Sequence, residues 1–117
     1  MLFIQYPKCS TCKKAKKWLD EHGVSYTARH IVEDNPTAEE LRAWHERSGL
    51  PLKRFFNTSG MLCREMELSK RLPDMNEASQ YALLASDGML VKRPLLVTAA
   101  TAIPGFKEDA WMQALGL

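Results

Sequence analysis

Two cysteines separated by two residues, Cys9 and Cys12, are the side chains whose type and spacing most strongly indicate chemistry. They stand between an apolar, strand-like run and a lysine-studded helical pattern, so Cys9 is expected at the start of a helix. Unpaired N–H groups and the positive end of the helix dipole favour a thiolate at that position. Because a thiolate is the attacking species in disulfide exchange, we predict Cys9 as the nucleophile and Cys12 as the resolving thiol.

Other uses of a cysteine pair are weaker matches to this sequence. A structural zinc site needs four ligands, and there is no second C-x-x-C motif to complete one. Two buried, unreactive thiols remain an alternative, whereas a permanent disulfide is typical of secreted proteins. The other side chains able to bind zinc or exchange disulfides stand singly in the sequence: His22, His30, His45 and Cys63. We interpret Cys63 as a loop residue rather than a distal resolving thiol.

The composition predicts an ordinary globular chain in a reducing compartment. The 117 residues, 45% hydrophobic and 26% charged, suit one domain with its own core. A net charge of +2 is too small to indicate nucleic-acid binding, although the basic residues around the first helix favour anionic substrates. Without a recognisable signal peptide or an 18-residue apolar run, a cytoplasmic location is expected.

The hydrophobic pattern predicts a mixed α/β sheet with helices on both faces. A strand at residues 2–6, a helix at 12–22 and a strand at 24–32 form a β-α-β unit. Thr37 and Glu40 predict a capping box, and the helix that follows ends at Gly49, with His45 as a partly buried face residue rather than a metal ligand. Further helices are predicted at 52–56, 61–68 and 76–85, strands at 89–91, 95–98 and 101–103, and a terminal helix after residue 105. Residues 1–117 are thus one domain with a helical insertion at about 37–88.

Five segments together carry a family resemblance. They are residues 6–15 (Tyr-Pro-Lys-Cys-Ser-Thr-Cys-Lys-Lys-Ala), 55–60 (Phe-Phe-Asn-Thr-Ser-Gly), 83–88 (Leu-Leu-Ala-Ser-Asp-Gly), 92–95 (Lys-Arg-Pro-Leu) and 105–108 (Gly-Phe-Lys-Glu). In this order they resemble the arsenate reductase (ArsC)/Spx-like family of the thioredoxin superfamily. The resemblance implies a thioredoxin-like, or glutaredoxin-like, fold, and it implies that Pro94 is a cis-proline facing the thiol pair.

The resemblance also implies candidate residues for holding an anion. Glutathione-dependent arsenate reductases of the family use one cysteine to attack arsenate and three arginines to hold it. Cys9 matches that cysteine and Arg93 matches one arginine, whereas Asn57 stands where the second is expected, and Phe106 or Lys107 stands near the third. Asn57 carries no charge, and losing one good donor at such a site costs about 3 kcal/mol of transition-state stabilisation. Arg93 has an alternative role as a partner for a carboxylate at the sheet edge.

Cys12 distinguishes this chain from those arsenate reductases, which have another residue there. A neighbouring thiol intercepts an adduct on Cys9 and so favours cycling between dithiol and disulfide. We therefore predict a thiol-disulfide oxidoreductase that acts on a small anionic or thiol substrate, with arsenate as one candidate. It would have no bound cofactor and would take electrons from glutathione, glutaredoxin or thioredoxin. The alternative is an Spx-like redox regulator that binds the C-terminal domain of the RNA polymerase α subunit, without direct contact to nucleic acid or membrane.

Overall fold

The centre of the fold is a four-stranded mixed sheet. The computed structural model describes residues 1–58, 60 and 64–117, without the side chain of Ser69. The strand order is β2-β1-β3-β4, with β1 parallel to β2 and both remaining pairs antiparallel. This is the mixed α/β, thioredoxin-like arrangement expected from the sequence. The strands are β1 (Leu2–Gln5), β2 (Thr27–His30), β3 (Leu95–Val97) and β4 (Ala102–Pro104).

The helices predicted at 12–22, after Thr37, at 52–56, at 76–85 and after residue 105 are all present, close to the predicted positions. Residues 61–63 of the predicted helix at 61–68 lie outside those described; residues 64 and 65 are helical, 66 and 67 form a turn, and a short helix begins at Leu68. The α-helices are α1 (Ser10–Glu21), α2 (Ala38–Ser48), α3 (Leu68–Arg71), α4 (Glu77–Ser86) and α5 (Glu108–Leu115). Three short 3-10 helices accompany them, at Leu52–Phe55, Leu72–Asp74 and Gly88–Leu90.

Two apolar cores lie on opposite faces of the sheet, because neighbouring side chains of a strand point to opposite sides. Phe3 and Leu96 pack with Trp18 and Trp111 in the core that includes residues of α1 and α5. Ile4 joins a larger core, which includes residues of α2, α4 and the first 3-10 helix. The two thiols of the C-x-x-C motif lie at the junction of β1 and α1, so the strand and the helix that fix their position are both anchored in these cores.

The predicted capping box of α2 is confirmed. The Thr37 hydroxyl accepts a hydrogen bond from the Glu40 amide, and the Glu40 carboxylate accepts one from the Thr37 amide, each at 3.1 Å. The same carboxylate receives two hydrogen bonds from the Arg29 guanidinium, at 2.7 and 2.9 Å. Arg29 is part of β2, so this bidentate pair attaches the start of α2 to the edge of the sheet.

The strand predicted at residues 89–91 is wrong. Gly88–Leu90 is a 3-10 helix, and the Asp87 carboxylate accepts a hydrogen bond from the Met89 amide at 2.9 Å. The apolar residues here are buried against the core rather than placed in a sheet. Val91 alone pairs with a neighbouring segment, through an isolated antiparallel bridge to Phe56. An apolar run of this length does not distinguish a strand from a buried turn.

In the described part of the chain, none of the helices has the length and apolar character that a bilayer crossing requires.

Candidate active site

The turn between β1 and α1 places both cysteines at the start of the helix. The amide of Cys9 donates to the carbonyl of Tyr6 at 2.9 Å, and Cys9 is the N-cap residue of α1 with an extended backbone. Cys12 lies in the first turn and is fully buried, whereas Cys9 is partly exposed. The two are not joined by a disulfide. The partly exposed thiol is therefore the one that a substrate reaches, as the sequence predicts.

The pKa of the Cys9 thiol is lowered by its surroundings. Partial burial by itself raises that pKa, but hydrogen bonds from the Cys12 amide, the Cys12 thiol and the Thr11 amide outweigh it, with the charge of Arg93 adding to them. The two backbone donors are free for Cys9 because the first N–H groups of a helix have no partner within the helix. This set of donors favours the thiolate form of Cys9, which is the form that attacks disulfides.

The pKa of Cys12 moves the other way, to about 12. Burial is the main cause, and the hydrogen bond to the Cys9 sulfur and the negative charge of Cys9 raise it further. The Tyr6 amide, whose N–H donates to the Cys12 sulfur at 3.5 Å, and the charge of Arg93 act in the opposite direction. Cys12 is thus a protonated donor to Cys9 while Cys9 is a thiolate.

The positive charge of Arg93 lowers the pKa values of both cysteines, although its effect is the smallest of the contributions to each shift. One of its terminal nitrogens donates to the Met89 carbonyl at 3.3 Å, and its central carbon lies 5.3 Å from the centre of the Tyr6 ring. Its Nε is buried and has no hydrogen-bond partner among the described residues. Nor does any described carboxylate form a salt bridge with Arg93, so the sheet-edge ion pair considered from the sequence has no support. The unpaired donor leaves Arg93 with capacity for an anion.

Pro94 is buried, and the Arg93–Pro94 peptide bond is cis, as the resemblance implies. The Pro94 carbonyl accepts a hydrogen bond from the Gly105 amide at 2.8 Å. This bond ties the start of β3 to the residues that follow β4. It thereby brings the loop at residues 105–107 next to Arg93.

A cavity of about 410 Å³ lies beside this thiol pair and carries a strong positive charge. Four cationic side chains contribute to its wall, and none of the described residues in that wall carries a carboxylate. Thr11 lies two residues after Cys9 in the first turn of α1 and also lines the cavity, so the cavity lies next to the reactive thiol. We call it the cationic cavity. Its wall consists of Thr11, Arg54, Lys92, Arg93, Pro104, Gly105, Phe106 and Lys107.

The candidate anion-binding residues from the sequence divide into two groups. Arg93 and Lys107 line the cationic cavity, and so does Phe106. Asn57 does not line it; its side chain is buried, with 8% exposed, and its backbone N–H donates to the Leu90 carbonyl at 2.8 Å. Asn57 therefore has no contact with this cavity that would support its predicted role in anion binding.

Two cations of the cavity, Arg54 and Lys92, were not identified from the sequence. The isolated bridge between Phe56 and Val91 explains their position, because the Lys92 amide donates to the Phe55 carbonyl at 2.8 Å. That bond holds the segment carrying Arg54 against the segment carrying Lys92. In the sequence, only the absence of acidic residues near Arg54 could have identified it as a candidate anion-binding residue.

The remaining candidates lie elsewhere. The Nδ1 atom of His45 is 2.6 Å from the Tyr81 hydroxyl, and the ring is partly buried, as predicted for a face residue. Cys63 lies outside the described residues. Within the described ranges, no group of three or more His, Cys, Asp or Glu side chains is arranged to hold a metal ion.

Comparison with known proteins finds similarity along nearly the whole chain. The uncharacterized protein YusI of Bacillus subtilis (strain 168) is 56% identical over 109 residues, which cover 93% of this chain and 92% of YusI. A crystal structure of an ArsC family related protein from Bacteroides fragilis superposes with a TM-score of 0.93 at 59% identity, over 96% of this chain and 94% of that one.

A more distant relative is a regulator. The global transcriptional regulator Spx of Staphylococcus haemolyticus (strain JCSC1435) is 24% identical over 103 residues, 88% of this chain and 77% of Spx. The model of the ArsC family matches residues 4–114, which include both cysteines, Arg93 and the whole cationic cavity. With that match and relatives of this identity, the chain belongs to the ArsC family.

Proposed function

We propose that this protein is a thiol-disulfide oxidoreductase in which Cys9 attacks an anionic disulfide or a related substrate and Cys12 completes the exchange. The opposite pKa shifts of the two thiols, beside the cationic cavity, carry this proposal. A low-pKa, partly exposed nucleophile with a protonated neighbour is the arrangement that dithiol exchange requires. The proposed reaction suits the reducing cytoplasm that the cysteine content predicts.

In the first step, the Cys9 thiolate attacks one sulfur of the substrate disulfide. The substrate S–S bond breaks, one half leaves as a thiolate, and the other half stays bound to Cys9 as a mixed disulfide. Cys9 is then neutral, so its charge no longer raises the pKa of Cys12 and its sulfur no longer holds the Cys12 proton. The pKa of Cys12 therefore falls once the first step is complete.

In the second step, Cys12 loses its proton to water and its sulfur attacks the Cys9 sulfur. The second half of the substrate leaves as a thiolate, and a Cys9–Cys12 disulfide forms. Two electrons have passed from the protein to the substrate. We propose that a thiol such as glutathione, or a dithiol of a glutaredoxin or thioredoxin, returns two electrons and restores both thiols.

Arsenate is a second candidate substrate for the same pair of thiols. As(V) would accept two electrons and leave as As(III) with loss of water, while the two thiols become a disulfide. Arg93 suits the oxyanion because a guanidinium presents two parallel donors to it. Arg54 brings a second guanidinium to the cavity, whereas Lys92 and Lys107 supply charge but not that fork. With two arginines in place of the three that the arsenate reductases use, we expect arsenate to be a slow substrate compared with a disulfide.

The decisive experiment compares turnover of 2-hydroxyethyl disulfide and of arsenate, with glutathione recycled by an NADPH-coupled reductase. We expect wild-type protein to reduce the disulfide and Cys9→Ser to lose all activity. With glutathione omitted, Cys12→Ser should stop as a mixed disulfide detectable by intact mass. Lys53→Gln, a change of an exposed residue outside the cationic cavity, is the control. Unchanged turnover in Cys9→Ser would refute the proposal.

The alternative function is redox-dependent binding to the C-terminal domain of the RNA polymerase α subunit. It is favoured by the relationship to Spx together with the retained pair of cysteines. Capture of the purified domain by the oxidised protein but not by the reduced protein, or the reverse, would support it. Equal or no capture in both redox states, with disulfide turnover intact, leaves the oxidoreductase as the function.

A further inference from the structure

The cationic cavity has a neighbour of different chemistry. A second cavity, of about 490 Å³, lies between the end of α2, strand β4 and helix α5. Much of its wall is aliphatic, and three residues line both cavities: Arg54, Pro104 and Lys107. We call the second one the apolar cavity. Its aliphatic wall is formed by Leu50, Ala102, Ile103, Ala110 and Ala114.

The order of chemical groups along the two cavities is fixed by residues that each contact two neighbouring regions of the site. Thr11 connects Cys9 to the cationic cavity, because it lies two residues after Cys9 in the first turn of α1 and lines the cavity. Arg54 and Lys107 connect the cationic cavity to the apolar one. From the reactive sulfur outward, a ligand therefore meets positive charge first and an aliphatic wall second.

A small inorganic oxyanion would gain no binding energy from the aliphatic wall. Such an ion is satisfied by the charge beside Cys9, and it has no apolar surface to place against Leu50, Ala110 or Ala114. An organic ligand with an apolar portion gains free energy there, since each buried methylene contributes about 0.8 kcal/mol. The positive charge at the shared wall, in turn, fits an oxyanionic group that lies between the sulfur and the apolar portion.

From this arrangement we infer that the substrate is a small organic disulfide or thiol with three parts: a sulfur, an oxyanionic group close to it, and an apolar arm that enters the apolar cavity. Arg54 and Lys107 select the oxyanion, and the wall of α5 selects the arm. This inference rests on the proposed function, whose reaction it extends by naming the substrate class.

The test uses disulfides of N-acetyl-, N-butyryl- and N-hexanoyl-cysteine. All three carry the same sulfur and the same carboxylate, and only the apolar arm changes. We expect kcat/KM to rise about tenfold from the acetyl to the hexanoyl compound, a fraction of what full burial of four methylenes would give. The methyl esters, which lack the negative charge, should react at least about fivefold more slowly than the free acids.

Two sets of variants locate these effects. Ala114→Leu and Ala110→Leu fill the apolar cavity and should reduce the tenfold chain-length effect to about twofold or less, whereas Met112→Leu, on an exposed position of α5, should keep it. Arg54→Gln should remove most of the preference for acid over ester, and Lys53→Gln should not. Circular dichroism confirms that each variant is folded.

Binding of unreactive analogues separates this inference from the proposed reaction. N-acetyl- and N-hexanoyl-S-methylcysteine contain no exchangeable sulfur, so calorimetry with wild type and Arg54→Gln measures the site alone. Tighter binding of the hexanoyl analogue, weakened in Arg54→Gln, supports the inference even if no disulfide is turned over. Equal affinity for both analogues, or a chain-length effect that is unchanged in Ala110→Leu and Ala114→Leu, overturns the inference. Turnover of 2-hydroxyethyl disulfide would still support the proposed oxidoreductase.

Discussion

The thiol of Cys12 donates a hydrogen bond to the Cys9 sulfur, so ionisation of one thiol opposes ionisation of the other. The bond lowers the pKa of Cys9 and raises that of Cys12. A mixed disulfide on Cys9 removes both the charge and the acceptor. The two thiols therefore become reactive in sequence, in the order in which the exchange reaction needs them.

Replacing Cys12 by alanine should raise the pKa of Cys9, because a donor to its thiolate is lost while the two backbone donors remain. Thiolate absorbance near 240 nm, or the pH dependence of alkylation by iodoacetamide, measures this. The alkylation midpoint should move to higher pH in Cys12→Ala and less so in Cys12→Ser, which keeps a hydroxyl donor. A Cys63→Ser background leaves only the two thiols of the motif to titrate, and an unmoved midpoint would contradict the assignment.

Replacing Arg93 by methionine should raise the pKa of Cys9 and also weaken the protection of Cys9 by anions. The first effect follows from the lost positive charge and the second from the lost guanidinium fork. Arg93→Lys separates them, since it keeps the charge but not the fork. We expect Arg93→Lys to keep most of the Cys9 ionisation, while arsenate or sulfate protects it poorly against iodoacetamide. If both variants are protected as well as wild type, Arg93 does not bind the anion.

The bidentate pair of Arg29 and Glu40 should contribute to acid stability. Its hydrogen bonds, with the amide of Thr37, hold the pKa of Glu40 at about 2, below its ordinary value of 4.5. Because the folded pKa is the lower one, this stabilisation is present above about pH 4.5 and is lost as the pH falls through 2. Glu40→Gln should reduce the free energy of unfolding at pH 7 by about 1–2 kcal/mol, allowing for its partial exposure. Urea denaturation should show a much smaller difference at pH 2, and Glu39→Gln, also in the first turn of α2, should have little effect at either pH.

Gly88 is expected to resist substitution for a reason of space. A Cβ at this position would lie 1.9 Å from the Ile31 carbonyl oxygen, which is backbone and cannot rotate away. Gly88→Ala should therefore lower the free energy of unfolding by at least about 3 kcal/mol. Gly23→Ala is the contrast: its φ of +66° is unfavourable for alanine, but nothing lies within 4 Å, so about 1–2 kcal/mol is expected. Similar losses in the two variants would mean that the close approach at Gly88 relaxes.

Features encoded by neighbouring residues could be predicted from this sequence. The start of α1 at Cys9 and the capping box of α2 depend on residues within one helical turn, and both are found where the pattern places them. The strand predicted at 89–91 is wrong, because burial alone gives an apolar run and Asp87 caps a 3-10 helix there. Local patterns carry no information on which buried segments form a sheet.

The cationic cavity was only partly predictable for a similar reason. Arg93 and Lys107 could be proposed because they lie in segments that resemble the family, whereas Arg54 reaches the cavity through the bridge between Phe56 and Val91. That bridge joins residues 35 positions apart. Asn57 lies in a resembling segment too, but its side chain is buried and is not part of the cavity wall. Pairings of this kind become visible only in three dimensions.

Among the described residues, Phe106 is the one aromatic side chain in the wall of the cationic cavity, and two tryptophans lie behind it. Its ring centre is 4.9 Å from that of Trp111 and 5.9 Å from that of Trp18, and the Trp111 indole donates to the Gly105 carbonyl at 3.1 Å. A ligand that displaces Phe106 or its loop therefore alters the surroundings of both indoles. The intrinsic fluorescence of these tryptophans should therefore change when a ligand fills the cationic cavity, so binding can be followed without an added label.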